Sequence, residues 1–258
     1  MFQLPADLAK AKILVTNDDG IHAEGIAVLE SIARKLSDNV WVVAPETEQS
    51  CQSHSLTLER PLRIKKLEEK RYCIDGTPSD CMLLAINHIF KDSRPDLVLS
   101  GVNFGRNAGV DVTYSGTIAA AMEATLLGVP AVAFSQEIVE GKASWDVPET
   151  HAENIVRKLV ALPAWPERVL MNVNFPNSKR IAIKGMKVVS HLGGKSSDSI
   201  MEREGRWGDP YFWVGHSVYD KFAGDTDGAA LEAGYISVTP LHMDLTHYEL
   251  LAQMRENL

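Results

Sequence analysis

Short apolar runs punctuate the first two thirds of the chain: Ile13 to Val15, Val40 to Val43, Leu97 to Leu99, Ala131 to Phe134 and Val169 to Met171. They are rich in β-branched residues and apolar without alternation, which predicts strands buried on both faces of a parallel sheet. Between them the period changes. From Ile26 to Leu36 the apolar residues Ile26, Leu29, Ile32, Ala33 and Leu36 fall on one helical face. Pro78 to Phe90 predicts a second helix, with proline in the first turn, a favoured place for it. Gly116 to Leu127 predicts a third, rich in alanine and stopped by Gly128-Val129-Pro130. Strand alternating with helix predicts a doubly wound α/β fold around a mostly parallel sheet with right-handed crossovers.

After about Asn174 the pattern changes. Ile181 to Ser190 reads as an extended strand, and Gly205 to Val214 as a turn-rich aromatic hairpin. A short helix is expected at Asp227 to Ala233, a strand at Tyr235 to Thr239, and a C-terminal helix from about His247. The whole chain, 1–258, reads as a single α/β domain. Its core covers about 1–175, and a protruding β-rich extension with a C-terminal segment covers about 176–258.

The composition is that of a globular protein, with 45% hydrophobic and 23% charged residues. A formal net charge of −8 argues against broad contact with nucleic acid or anionic lipid, so no stable nucleic-acid complex is expected. It leaves room for a small anionic substrate, because a bound cation reverses the local sign. Three cysteines with no CxxC pair exclude a disulfide framework and a cysteine-rich zinc site. No apolar stretch reaches the length of a membrane span and the N-terminus lacks a signal-peptide pattern, so a cytoplasmic, membrane-free protein is expected.

The chemistry gathers where the apolar runs end. The first opens into Thr16-Asn17-Asp18-Asp19-Gly20, the second into Pro45-Glu46-Thr47-Glu48-Gln49-Ser50, the third into Ser100-Gly101-Val102-Asn103-Phe104-Gly105-Arg106-Asn107. In an open parallel sheet, ligands bind beyond the carboxyl ends of the strands, where these loops would meet. Adjacent carboxylates at Asp18 and Asp19 repel unless a cation sits between them, and an oxygen-only donor set suits Mg²⁺ or Mn²⁺ better than zinc. Both aspartates can face one ion only if Gly20 lets the chain turn. The same residues could instead serve as a turn and helix N-cap. Tyr114-Ser115-Gly116-Thr117 opens the alanine-rich helix, and its free N–H groups and hydroxyls would cradle a phosphate; Ser115 or Thr117 acting purely as a cap is the alternative. The glycines at 101 and 105 lack a following helix and a lysine, which excludes a dinucleotide fingerprint and a Walker A loop. Asp225-Thr226-Asp227-Gly228 reads as the cap of the next helix, Cys51 as a small buried residue, and Trp207, Tyr211, Phe212 and Trp213 as packing or interface.

Taken in order, ILVTNDDG (13–20), VVAPETEQS (42–50) with SLTL (55–58), GTPSDC (76–81), SGVNFGRN (100–107), YSGT (114–117) with AAAMEA (119–124), and GYISVTPL (234–241) resemble the SurE family across almost the whole chain. The resemblance implies a Rossmann-like fold whose C-terminal extension is exchanged between subunits in homodimers or homotetramers. It implies one divalent cation per subunit, Mg²⁺ or Mn²⁺, held by Asp18, Asp19, Ser50 and Asn103, and a phosphate surrounded by Asn107, Ser115, Gly116 and Thr117. The implied activity is hydrolysis of nucleoside 5′- and 3′-monophosphates, with Asp18 or Asp19 orienting or deprotonating the attacking water and short-chain polyphosphate as a further candidate substrate. A phosphatase passing through an aspartyl-phosphate, or a non-catalytic nucleotide sensor using the same loops, are the competing readings. Two residues depart from the family pattern: Cys51 stands where glycine commonly follows the serine, and Glu24 where proline is usual.

Overall fold

β1 (Ile13–Thr16) lies at the centre of the sheet with all four residues buried. In the computed structural model, which describes all residues save 3, 6, 193, 194, 220 and 221, it is followed by α1 (Glu24–Leu36) and β2 (Val40–Pro45). A hairpin of β3 (Ile64–Glu68) and β4 (Arg71–Ile74), α2 (Pro78–Leu84), β5 (Leu97–Phe104), the short α3 (Asp111–Tyr114) and α4 (Gly116–Leu126) come next. Then follow β6 (Ala131–Gln136), α5 (Asp146–Val160), β7 (Val169–Phe175), β8 (Met186–Val188), β9 (Lys195–Glu204), β10 (Pro210–Tyr219), α6 (Asp227–Glu232), β11 (Ile236–His242) and α7 (Tyr248–Asn257).

The nine-stranded sheet runs β3-β4-β2-β1-β5-β6-β7-β11-β8. Strands β4, β2, β1, β5, β6 and β7 are parallel, while β3 and β11 pair antiparallel to β4 and β7. Both faces of β1 are covered. Ile13 and Val15 pack with Ile26, Leu29 and Ile32 of α1 and Ile155 and Val156 of α5. Leu14 faces the other way, into a cluster with Met82 of α2 and Ala120, Ala121 and Ala124 of α4. The unbroken apolar runs are thus explained by helices on both sides. The alanines of α4 let that helix settle close to the sheet and to α2.

All the predicted strands of the first two thirds are present, each extended by one to five residues beyond its apolar run. The predicted helix over 78–90 is α-helical only to Leu84, and residues 85–89 form a wider turn closed by Phe90 N–H to Ala85 O at 2.8 Å. Its start is a capping box: the Thr77 hydroxyl accepts from Asp80 N–H, and the Asp80 carboxylate accepts from Thr77 N–H. Beyond Phe175 the chain returns β11 and β8 to the main sheet, and only the antiparallel pair β9–β10 stands apart. Of the strand expected over 181–190, residues 186–188 are regular. The hairpin expected at 205–214 is the tip of a longer one.

Candidate active site

The parallel strands progress to one side of β1 through β2 and β4, and to the other through β5, β6 and β7. The order therefore reverses between β1 and β5, and the crevice beyond their carboxyl ends is where an α/β sheet offers a ligand its place.

β1 leaves the sheet through Asn17, Asp18, Asp19 and Gly20. Gly20 has φ +99°, a left-handed value that only glycine adopts freely. The turn is held by the Asn17 side-chain N–H, which donates to Gly20 O at 2.9 Å. Asp18 then faces α4. It accepts a hydrogen bond from the Thr117 hydroxyl, and its Cβ would lie 2.7 Å from any side chain placed on Gly116. Asp19 faces the end of β5, where its Oδ2 accepts the Phe104 N–H at 3.1 Å.

Burial governs the charge state of this pair. Desolvation first, and then the neighbouring Asp19, push the Asp18 carboxyl up to about 7 against the pull of the Thr117 hydroxyl. Asp19 is also raised, by burial above all; the Phe104 N–H opposes this and the nearby Glu48 charge adds to it. None of the groups acting on either carboxylate is cationic. Two desolvated, uncompensated carboxylates are the arrangement that a divalent cation relieves. Among the described residues no group of three or more His, Cys, Asp or Glu side chains is gathered, so further donors here would be neutral oxygens, a set that fits Mg²⁺ or Mn²⁺.

The loops carrying Ser50 and Asn103 are both tied to this turn. Gln49 N–H donates to Asp18 O at 2.8 Å, which sets the exposed Ser50 beside it, with the Ser50 hydroxyl donating to Glu48 Oε1 at 2.9 Å. Asn103 immediately precedes the Phe104 N–H that holds Asp19. Its side-chain N–H donates to Gly105 O at 2.8 Å, which leaves Oδ1 as the donor atom for a cation. Cys51 is exposed, contrary to the expectation that it is buried. Its φ of +60° gives the physical reason: a backbone turn, not packing, sets the position, and the left-handed conformation favours the glycine that this chain lacks.

α4 supplies the anion-binding half. Ser115 is its N-cap, accepting from Ile118 N–H at 3.1 Å, and the Thr117 carbonyl accepts from the buried Ser100 hydroxyl at 2.8 Å. The first-turn N–H groups of Gly116 and Thr117 have no acceptor within the helix, and the Thr117 N–H bears on the Asp18 carboxylate. Asn107 is held differently. Its N–H donates to Asn174 Oδ1 at 2.7 Å, its side chain donates to Ser135 Oγ at 2.8 Å, and its carbonyl accepts from Asn172 and Asn174. The bonds of Asn107 thus run to β6 and β7, while Asp18, Gly116 and Thr117 touch directly.

Sequence reasoning missed that carboxamide cluster. The signal was there, since Asn172 and Asn174 alternate in an otherwise apolar strand and so share a face. It also missed the pins on the two loops. His54 Nε2 pairs with Glu123 of α4 at 2.8 Å, tying the Ser50 loop to the helix. In the expected cap at 225–228, Thr226 does cap α6, but Asp227 reaches away to accept Gly109 N–H at 3.0 Å. His191 Nδ1 lies 3.2 Å from the same carboxylate.

Fold and geometry together define a doubly wound α/β protein with a carboxylate pair and a helix N-terminus sharing one switch-point crevice. The family model described as "Survival protein SurE" matches residues 13–198, and the chain belongs to the SurE family. It is 50% identical over 244 residues to a protein of Paramagnetospirillum magneticum named 5'-nucleotidase SurE, covering 94% of each chain. A Brucella anthropi protein of the same name is 51% identical over 251 residues, covering 94% of this chain and 95% of its own. The crystal structure of the SurE protein from Aquifex aeolicus superposes with a TM-score of 0.81 at 36% identity, covering 95% of this chain and 98% of that one.

The raised Asp18 carboxyl sets a pH dependence. Its folded value near 7 lies above the ordinary 3.8 of an aspartate, so the cation-free fold favours the protonated acid. That contribution is complete below about pH 4 and is lost as pH rises through 7, a span worth a few kcal/mol. Denaturant unfolding in chelator is expected to show stability falling between these limits. Mn²⁺ would bind only the ionised form, so adding it is expected to remove or reverse the slope. Identical pH profiles with and without the ion would count against the aspartates as its ligands.

Proposed function

We propose that the protein hydrolyses nucleoside 5′- and 3′-monophosphates to nucleoside and inorganic phosphate. The observation that carries this reading is the uncompensated Asp18–Asp19 pair set against the start of α4, in a chain about half identical to proteins named 5'-nucleotidase SurE. Asp18, Asp19, Ser50 and Asn103 would hold one Mg²⁺ or Mn²⁺ per subunit. When bound, the cation supplies Lewis-acid polarisation of the phosphoryl group and a lowered pKa for water.

The remaining work falls to the chain's own groups. The Gly116 and Thr117 N–H groups and the Ser115 hydroxyl receive the phosphate oxygens, with the positive end of the α4 dipole behind them. As water attacks in line, charge spreads over the equatorial oxygens, and these fixed donors neutralise it without reorganising. The Asn107 amide has a second N–H beyond the one given to Ser135, and it adds a donor from the β5 side. Asp19, less buried than Asp18, orients the water and accepts its proton.

The test is phosphate release from a panel of nucleoside 5′- and 3′-monophosphates and short polyphosphate, with Mn²⁺ or Mg²⁺ and then with chelator. Metal-dependent release is the expected result; tight nucleotide binding with no release under any metal would turn the protein into a sensor.

The chain also presents surfaces suited to a second copy of itself. α7 buries none of its residues, Leu245 before it is 96% exposed, and Phe212, Trp213 and Val214 of β10 are exposed. A homodimer or homotetramer that covers them is the proposed assembly. Among the described residues no helix is long and apolar enough to cross a membrane.

A further inference from the structure

At the outer lip of the crevice stand two aromatic rings that the hydrolytic chemistry does not use. Phe104 ends β5, directly after Asn103, and its N–H holds Asp19. The residue is 45% exposed, unusual for a phenylalanine on a central strand of a sheet whose neighbours are buried. Trp145 comes from the loop between β6 and α5, and its ring centroid lies 6.5 Å from that of Phe104 at an angle of 52°. This spacing and tilt fall within the range of interacting aromatic pairs, so Trp145 backs Phe104 from one side.

Trp145 is fixed on its far side. Its Nε1 donates to Glu24 Oε2 at 3.1 Å, and its Cη2 lies against the position of Gly25, where a Cβ would sit 3.3 Å away. Glu24 is the residue that replaces the proline usual in the family pattern. Loops after β1, β5 and β6, three neighbouring strands, therefore converge to present one braced ring and one open ring on the carboxyl edge of the sheet.

We infer that Phe104, backed by Trp145, is the nucleobase platform of this site and sets its preference for nucleosides over simple phosphate esters. A substrate whose phosphate lies between Asp19 and the α4 start carries its base one sugar away, and Phe104 is rooted one residue from Asn103. Every nucleobase has a π-face, so stacking on an exposed phenylalanine is tolerant of base identity and is lost when the ring is removed.

This inference rests on the nucleotidase reading and deepens it. The test compares kcat/KM for adenosine 5′-monophosphate and ribose 5-phosphate, which share the phosphate and sugar but not the base, in the native protein, Phe104→Leu and Phe104→Tyr. Leucine keeps apolar bulk and tyrosine keeps the ring. The ratio of the two kcat/KM values is expected to fall about tenfold in Phe104→Leu, through KM for the nucleotide, and to stay within about twofold in Phe104→Tyr. An unchanged ratio in Phe104→Leu overturns the inference, as does an equal fall in both variants. A native enzyme that hydrolyses both esters equally well overturns this inference alone, whereas one that hydrolyses neither removes the nucleotidase reading with it.

Discussion

Asp19→Asn is expected to lower turnover of nucleoside monophosphates on the order of 100-fold or more at saturating Mn²⁺, while the fold survives. The substitution keeps an oxygen able to accept the Phe104 N–H at the end of β5. It removes the charge that the proposed cation would need and the carboxylate proposed to take the proton from water. Stability is expected to move the other way. Asp19 is a desolvated carboxylate whose protonation is favoured by burial and by Glu48, so a neutral amide relieves a cost instead of adding one. Phosphate release and a thermal unfolding curve in chelator, taken on one preparation, separate the two effects. Near-native turnover with a full complement of metal would remove Asp19 from the centre.

Gly25→Ala carries the largest expected cost to the fold. α1 approaches β5 so closely at this position that a Cβ would lie 1.9 Å from the Val102 carbonyl oxygen and 3.1 Å from its carbon. The obstacle is backbone in a central strand, not the far end of a flexible side chain, so α1 has to lift from the sheet. Overpacking of this kind costs about 3 kcal/mol or more, which in a chain of this length lowers the thermal midpoint by roughly 10 °C. The stretch of β5 against which α1 packs also leads into Asn103 and Phe104, so activity should fall together with stability. A midpoint within about 2 °C of the native protein would mean the helix accommodates the methyl group.

How much of this was legible in the sequence depended on whether the information was local. The parallel strands announce themselves because Ile13 to Val15 and Leu97 to Leu99 are covered on both faces and so have no reason to alternate. The polar residues that follow them stand out for the same reason, whereas the direct contacts of Asp18 with Gly116 and Thr117 join a strand end to a helix start and were not foreseen. β3 and β4 were not foreseen. They form an edge hairpin in which Lys65, Lys66 and Glu68 face solvent, so their apolar pattern is too thin to read. α5 was missed because Pro148, Glu149, Thr150 and His151 separate Val147 from the apolar face that resumes at Ala152. The joining of β11 to β7 pairs residues more than sixty positions apart, and no local pattern encodes that choice of neighbour. Cys51 went wrong because a turn, not burial, dictates its environment.

The fully buried Asp227 carboxylate, which receives the Gly109 N–H from 118 residues upstream, has a consequence for the order of assembly. During synthesis the first two thirds of the polypeptide can form the central strands and their covering helices. The segment just after Asn107 still lacks its last anchor until residue 227 has left the ribosome. Competence to grip phosphate is therefore expected to arrive late, almost with chain completion, and a nascent chain halted at about residue 180 should be structured yet unable to turn over a nucleotide.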